Sequence, residues 1–396
     1  MVATIAVLNA GSSSIKFALY ETVAGERLLF DGQVEQIGVS PHLKVCKADG
    51  EVVIERDWPA DGFDHRAATR ALVEEIVALV NGRPAAVGHR VVHGGTRFSA
   101  PTRVDAEILA ALAEFNPLAP LHQPHNLAPI VAISEAAPDL PQVACFDTAF
   151  HRSQPALAQR FAIPRRLTAA GVRRYGFHGL SYEYVSARLF EIAPDIARGR
   201  VVIAHLGNGA SLCAVRDGRS VASTMGFTAV DGLMMGTRCG AIDPGVLIYL
   251  LDAEGLDARG LEDLIYRRSG LFGVSGISSD MRKLRASHEP EAAEAIALFC
   301  YRVVREIGSM AAALGGVDGL VFTGGIGEHD AGVRAEVAAG CGWLGLDLDE
   351  ASNSDGGEGR ISREDSLGQI WIVPTDEERL IARHTAAVLG LAAATS

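Results

Sequence analysis

The chain has 396 residues, enough for two or three domains at about 150 residues each. Thirty-six Lys and Arg against 48 Asp and Glu leave a net charge of −12, which argues against a nucleic-acid or anionic-membrane partner. Hydrophobic residues at 48% and charged residues at 21% fit an ordinary globular protein with large cores and exclude a disordered chain. Glycine, at 43 residues, exceeds the usual share of about 7%, so many turns need open backbone geometry or a close approach to a ligand. The cysteines at positions 46, 145, 213, 239, 300 and 341 form no C-x-x-C pair. A disulfide framework and a zinc module are therefore not expected, and a reducing cytoplasm is. Residues 1–9 have no basic stretch and turn polar at once, unlike a signal peptide. The most apolar helical stretch, residues 295–314, carries Arg302, Arg305 and Glu306 and reads as a buried core helix, not a membrane span.

In chain order, Thr4–Leu8 is an apolar, β-branched strand, followed by the small-residue turn Asn9–Ser14 and a second strand, Ile15–Tyr20. A helical period runs over Ala67–Val80, and buried-type strands follow at Ala85–Val92 and Gln142–Phe146. The opening plan then recurs as strand Val201–Leu206, turn Gly207–Ser211 and strand Leu212–Val215, which suggests a duplicated domain. Beyond it lie helix Glu291–Leu314, strand Gly319–Thr323, a polar, flexible surface loop at Ser352–Arg363 and strand Ile370–Val373. Thr375 and Glu378 have the spacing of a capping box at the head of a last helix, Glu377–Leu391, which leaves Glu377 free to point elsewhere. Strands alternating with helices imply α/β layers with largely parallel sheets.

Three glycine- or serine-rich turns, Asn9–Ser14, Gly207–Ser211 and Gly324–Glu328, directly follow strands. Exposed backbone amides in such turns form concavities for phosphate oxygens. No G-x-x-x-x-G-K-[ST] is present and no G-x-G-x-x-G follows the first strand, so neither a P-loop nor a dinucleotide-binding fold is indicated. Polar residues at strand ends or in glycine-flanked turns form a second set: Arg90, Asp147, His178, Arg238 and Glu377. An arginine is usually a solvated cation and a strand-end aspartate often a helix cap, but Arg90 sits inside an apolar strand and needs an anionic partner if buried. Arg238 lies in the glycine-rich Met235–Gly240 block, where a bulky cation suggests a nearby anion. His89 with His93, and His122 with His125, have spacings that could hold a metal. The first pair falls in a strand, however, and Pro124 breaks any helix carrying the second, so a zinc hydrolase is disfavoured.

Taken together, Val7-Leu-Asn-Ala-Gly-Ser-Ser-Ser-Ile-Lys16 and His205-Leu-Gly-Asn-Gly-Ala-Ser211 resemble the two signatures of the acetate kinase family. The blocks at 88–95, Met235–Gly240, Ser279–Arg282 and Thr323–Glu328 match further family motifs in order. The resemblance implies two duplicated ribonuclease-H-like domains of the actin/Hsp70/sugar-kinase type with an interdomain cleft. Residues 1–149 plus 381–396 would form the first, and 150–380 the nucleotide-binding second. It implies cytoplasmic, reversible phosphoryl transfer between ATP and acetate, giving acetyl phosphate and ADP, with Mg2+ (Mn2+ able to substitute), in a homodimer without nucleic-acid or membrane partners.

Residue by residue, Arg90 and Arg238 resemble the pair gripping the carboxylate and the moving phosphoryl group. His178 resembles the histidine that hydrogen-bonds that group, and His122 a supporting one. Asn9, Asp147 and Glu377 resemble the residues that place Mg2+. Val92, Leu121 and Phe177 resemble the apolar wall around the substrate methyl. Ser12, Ser14 and Lys16, with His205, Gly207, Asn208 and Gly209, correspond to the phosphate side of the nucleotide site. Asp280, Met281, Arg282, Gly324, Gly325, Ile326, Gly327 and His329 correspond to its adenosine side. The chain departs from the family at Ala229, where Pro is frequent, at Met281, where Phe is common, and at His329, where Asn is usual.

A carboxylate acceptor is already ionised at neutral pH, so the chemistry needs no general base. The obstacle is repulsion between two anions, which fixed guanidiniums and a divalent cation relieve. Direct in-line transfer is therefore expected over a phosphoenzyme, with acetate preferred and propionate second. The rivals are a propionate or butyrate kinase and a nucleotide-gated, chaperone-like ATPase.

Overall fold

The structure, a computed structural model, describes residues 3–11, 13–22, 27–120 and 122–391. It divides into two compact units, Met1–Ala149 with Asp376–Ser396, and Phe150–Thr375. Residues 376–380 therefore belong with the first unit, ahead of the boundary expected at 381.

The first unit is built on an eight-stranded sheet. Its strands are β1 (Thr4–Ala10), β2 (Ile15–Glu21), β3 (Arg27–Glu35), β4 (His42–Lys47), β5 (Val52–Asp57), β6 (Ala86–Val91), β7 (Thr102–Arg103) and β8 (Gln142–Phe146), in the order β5-β4-β3-β2-β1-β6-β8-β7. The second unit holds a six-stranded sheet of β9 (Arg200–Leu206), β10 (Ala210–Arg216), β11 (Arg219–Ser223), β12 (Gly319–Thr323), β13 (Gly359–Arg360) and β14 (Gln369–Ile372), in the order β11-β10-β9-β12-β14-β13. Both sheets share one plan. An antiparallel triplet (β3-β2-β1 or β11-β10-β9) is continued by two parallel strands (β6-β8 or β12-β14). The duplication read from the two hairpins is thus present in the strand order. The sheets are mixed, not largely parallel, because each begins with a hairpin meander that needs no crossover helix.

The central strands are buried on both faces, as their near-continuous apolar runs demand. On one face of the first sheet, Leu8 and Val87 pack with Leu72, Ile76 and Ile133 from helices His65–Leu79 and Gln123–Ala136. On the other face helix Glu377–Leu389 crosses β1, β6 and β8. It comes so close that a Cβ at Gly88 would lie 2.6 Å from Ile381 Cγ2, so only glycine fits there.

Four local expectations are corrected. Asp376, not Thr375, caps the last helix by accepting from the Arg379 N–H, and the helix ends at Leu389. Pro124 starts a helix instead of breaking one, since its missing N–H costs nothing in a first turn. The stretch 352–363 is ordered, with helix Glu350–Asp355, strand β13 and a bridge from Leu348 to Ser362. Helix Pro290–Leu314 buries one face while Leu298 and Tyr301 remain exposed, so it is an amphipathic cover and not an all-buried helix. Among the described residues no helix is long and apolar enough to cross a membrane.

Candidate active site

In the first unit the functional side chains gather at the ends of β1, β6 and β8. Parallel pairing sets Arg90 of β6 beside Cys145 of β8, which brings Asp147, just past the end of β8, against the guanidinium. Arg90 donates to Asp147 from Nε (3.3 Å) and from Nη2, and Nη1 reaches Asn9 Oδ1 at 3.4 Å. Glu377 Oε2 lies 3.7 Å from Arg90 Nε, and Asn9 Nδ2 donates to Glu378 Oε1 at 3.2 Å. Burial lowers the Arg90 pKa, but Asp147 and Glu377 outweigh it and hold the guanidinium above its ordinary value. Burial raises the Asp147 carboxyl against the pull of Arg90. Burial likewise pushes Glu377 up to about 8, with Asp147 and Glu378 adding to the rise and Arg90 and Lys16 opposing it.

Beside this cluster Val92 is buried, its N–H held by Asn126 Oδ1 at 2.8 Å, while Asn126 Nδ2 reaches back to Ala10 O. Asn9 belongs to β1 and Lys16 to β2, directly opposite each other, so the first turn is shorter than the sequence suggested. Ser14 closes it by accepting from the Gly11 N–H at 2.8 Å. Ser12 and Leu121 lie outside the described residues. His122 stands at the N-cap position of helix Gln123–Ala136.

In the second unit the turn between β9 and β10 is surrounded by hydrogen-bond donors. A Cβ at Gly209 would lie 3.3 Å from His178 Nε2 and 3.7 Å from Arg238 Nη1, and one at Gly207 would lie 3.9 Å from both His205 Nε2 and the Gly325 nitrogen. The Met235–Gly240 block packs onto the turn through Gly236 N–H to Asn208 O at 3.0 Å. Arg238 is anchored by the Ala229 carbonyl at 3.0 Å. His178 has φ of 56°, a left-handed conformation costly for a side-chain-bearing residue. The preceding carbonyl, of the buried Phe177, accepts from His151 Nε2 at 2.8 Å, and this fixes the peptide leading into it. The His178 ring stacks on His205 at 4.2 Å.

One cavity of about 930 Å³ in this unit is lined by twelve residues, among them Gly207, Asn208, Asp280, Met281, Arg282, Gly325, Ile326 and His329, with Ser279, Arg285, Asp330 and Ala331 completing the wall. The first eight are positions the motifs assigned to the nucleotide. Asp280 caps the helix that carries Met281, and Arg282 pairs with it at 2.7 Å, which draws the Asp280 carboxyl down to about 2. Gly324–His329 is a short helix instead of a turn. Glu328 Oε1 takes the Gly324 N–H at 2.7 Å, and buried Arg334 donates to the Gly327 and Glu328 carbonyls.

Sequence reasoning gave no role to Ser211 and Glu328, which end two of the motifs, and missed His151, Tyr182, Arg334 and Asn126, which lie outside them; all six hold the site residues. Buried polar side chains in apolar surroundings are the signal that could have found them. Of the histidines with metal-ligand spacing, His89 Nε2 pairs with Gln142 Oε1, and His93 Nδ1 accepts the Gly95 N–H, both at 2.8 Å.

Two units sharing one strand order, each with a small-residue turn after its first strand, define a protein of the actin/Hsp70/sugar-kinase type of fold. The model of the Acetokinase family matches residues 4–383, and the chain belongs to that family. It is 55% identical over 384 residues to an acetate kinase of Rhodopseudomonas palustris, covering 96% of each chain. It is 51% identical over 400 residues to an acetate kinase of Methylocella silvestris, covering 98% of this chain and 99% of the other. The crystal structure of Porphyromonas gingivalis acetate kinase superimposes with a TM-score of 0.88 at 41% identity, covering 98% and 100% of the two chains. A propionate kinase from Francisella tularensis gives 0.89 at 36% identity, covering 96% and 98%.

Proposed function

We propose that this chain catalyses reversible phosphoryl transfer between ATP and acetate, with Arg90 and Arg238 addressing the same phosphoryl group during turnover. The observation that carries this is the form of the two clusters. One unit presents an arginine backed by Asp147 and Glu377 at its strand ends. The other converges Arg238 and His178 on the turn that leads into the cavity lined by the nucleotide motifs. Arg90 orients the carboxylate, Val92 and Phe177 bound its methyl, and Arg238 and the His178 N–H take the charge that builds on the phosphoryl oxygens. No side chain has to accept a proton, because acetate arrives ionised.

The residues fit a divalent cation. Asn9, Asp147 and Glu377 supply hard oxygen donors, gathered around Arg90 at the ends of β1, β6 and β8. Mg2+ keeps several waters and typically takes one or two carboxylates beside its phosphates, which suits a site with few direct protein ligands. When bound, it neutralises charge on the nucleotide phosphates.

Acetate is the preferred acceptor in this reading and propionate the second, since one methylene in an apolar pocket is worth only about 1–3 kcal/mol. The similarity to a propionate kinase structure is what keeps the second in view. The chain acts as a homodimer. Support comes from helix Pro244–Asp252, none of whose residues is buried although it carries Val246, Ile248, Tyr249 and Leu251. Measuring ADP formed from ATP and Mg2+ with and without acetate tests the activity. Turnover indifferent to the carboxylate would point instead to a nucleotide-gated ATPase.

A further inference from the structure

His178 is wired from behind. Its Nδ1 lies 2.8 Å from Ser211 Oγ, and Ser211 Oγ in turn makes a short hydrogen bond with the Tyr182 hydroxyl. Ser211 and Tyr182 are both fully buried. Among the described residues neither hydroxyl has any other hydrogen-bond partner.

Counting protons leaves one arrangement. Each hydroxyl has a single proton, and a buried donor without an acceptor is disfavoured. If Nδ1 carried a proton it would donate to Ser211. Ser211 would then donate to Tyr182, leaving the phenol proton orphaned, or Tyr182 would donate to Ser211, leaving the serine proton orphaned. Only the sequence Tyr182 O–H to Ser211 Oγ, then Ser211 O–H to His178 Nδ1, satisfies every group. Burial holds the Tyr182 phenol far above its ordinary pKa, so its proton stays in place.

We propose that Tyr182 and Ser211 are positioning residues that fix His178 as the tautomer bearing its proton on Nε2. That nitrogen faces the open side of Gly209, where Arg238 Nη1 also arrives. An imidazole with a bare Nε2 would present a lone pair to the phosphoryl oxygens and repel them, whereas the relay guarantees a donor. His205 stacks on the His178 ring from β9, Arg238 approaches from the Met235–Gly240 block, and Ser211 and Tyr182 lie behind it from β10 and from helix Gly179–Ile192. No carboxylate takes part in the relay. The inference rests on the proposed role of His178 for its catalytic meaning, although the tautomer itself is a property of the free protein.

The test is nitrogen NMR on the full chain labelled with 15N-histidine, at pH 8 and without nucleotide, with the His178 signals assigned by their loss in His178→Gln. A bare, pyridine-like Nδ1 and a protonated, pyrrole-like Nε2 are expected. In Tyr182→Phe the serine is free to turn, so the two nitrogens should shift toward averaged values. Its kcat should fall by roughly tenfold, part of the 10²–10³ that a single oxyanion donor is worth, while KM for ATP and for acetate stays within twofold. Ser211→Ala should lower kcat in the same way, which guards against one variant failing to fold. A protonated Nδ1 in the wild type would overturn the proposal, and so would a Tyr182→Phe protein with unchanged tautomer and kcat. The NMR result is independent of turnover, so its failure is separate from a failure of the acetate-dependent assay.

Discussion

Asp147, a fully buried carboxylate, accepts from two nitrogens of Arg90, Nε and Nη2, so the resting guanidinium is already engaged on one edge. The second N–H of Nη2 and the N–H groups of Nη1 are left to meet an incoming anion, Nη1 making only a long 3.4 Å contact to Asn9 Oδ1. The pair therefore both holds the fold and aims the arginine.

Those two jobs can be separated by substitution. Arg90→Ala should lower turnover by on the order of 10³–10⁵ and also destabilise the protein by about 3 kcal/mol, because it leaves Asp147 buried without its partner. Arg238→Ala should cost a similar factor in rate, leaving behind the Ala229 carbonyl that the guanidinium holds at 3.0 Å. Steady-state kinetics paired with urea unfolding checks both. An Arg90→Ala protein as stable as the wild type would refute its structural role.

Gly209→Ala adds a methyl where His178 Nε2 and Arg238 Nη1 converge, 3.3 and 3.7 Å away. Its φ is not in the left-handed region, so the backbone should accept alanine and the melting temperature should hold. Turnover should nevertheless fall by about 10² or more, as for loss of a transition-state donor. Full activity in this variant would show that the phosphoryl group passes elsewhere.

Acid should unfold the protein in a defined window. Burial holds His89, His93 and His151 each at about 4, below the ordinary 6.5. Their contribution to stability is complete above pH 6.5 and is lost as pH falls through 4, at about 1.4 kcal/mol per pH unit for each imidazole. Glu377 acts in the opposite sense. Raised from 4.5 to about 8, it contributes fully below pH 4.5 and loses that contribution as pH rises through 8. Three imidazoles against Glu377 and Asp147, whose carboxyl burial also raises, leave stability falling from pH 6.5 to 4.5. Unfolding free energies that stay level across that range would contradict this balance.

Val92→Ala should enlarge the acyl wall. The kcat/KM ratio of propionate over acetate is expected to rise by about tenfold, the scale of one methylene in an apolar pocket. An unchanged ratio would remove Val92 from the wall.

Helix Pro244–Asp252 offers a test of assembly. Ile248 and Tyr249 are 60% and 56% exposed, so Ile248→Glu should convert a dimer to a monomer in sedimentation without unfolding it. A wild-type chain that sediments as a monomer would end the dimer reading.

The sequence made the elements and the motif-borne donors legible because both obey local rules. β8 and β12 lie where their apolar runs end, and eight motif residues share one cavity. What it hid depended on long-range neighbours. The pairing of Arg90 with Asp147 needed β6 and β8 to be adjacent. The mixed character of the sheets followed from hairpins whose partners no local pattern reveals. Thr375 and Asp376 are both good caps, and only the fold decides that Asp376 takes the role. Tyr182, Ser211 and Arg334 look like ordinary residues of helix and strand until their buried polar atoms are seen to meet.

Helix Glu377–Leu389 crosses the strands of the first sheet, which were laid down hundreds of residues earlier in the chain. During synthesis the opening 149 residues must leave the ribosome with the Gly88 face of β6 bare, and they stay so until the last segment emerges. Chain growth thus keeps the Arg90 centre unfinished until Glu377 arrives, and no nascent fragment that lacks the final helix can assemble it.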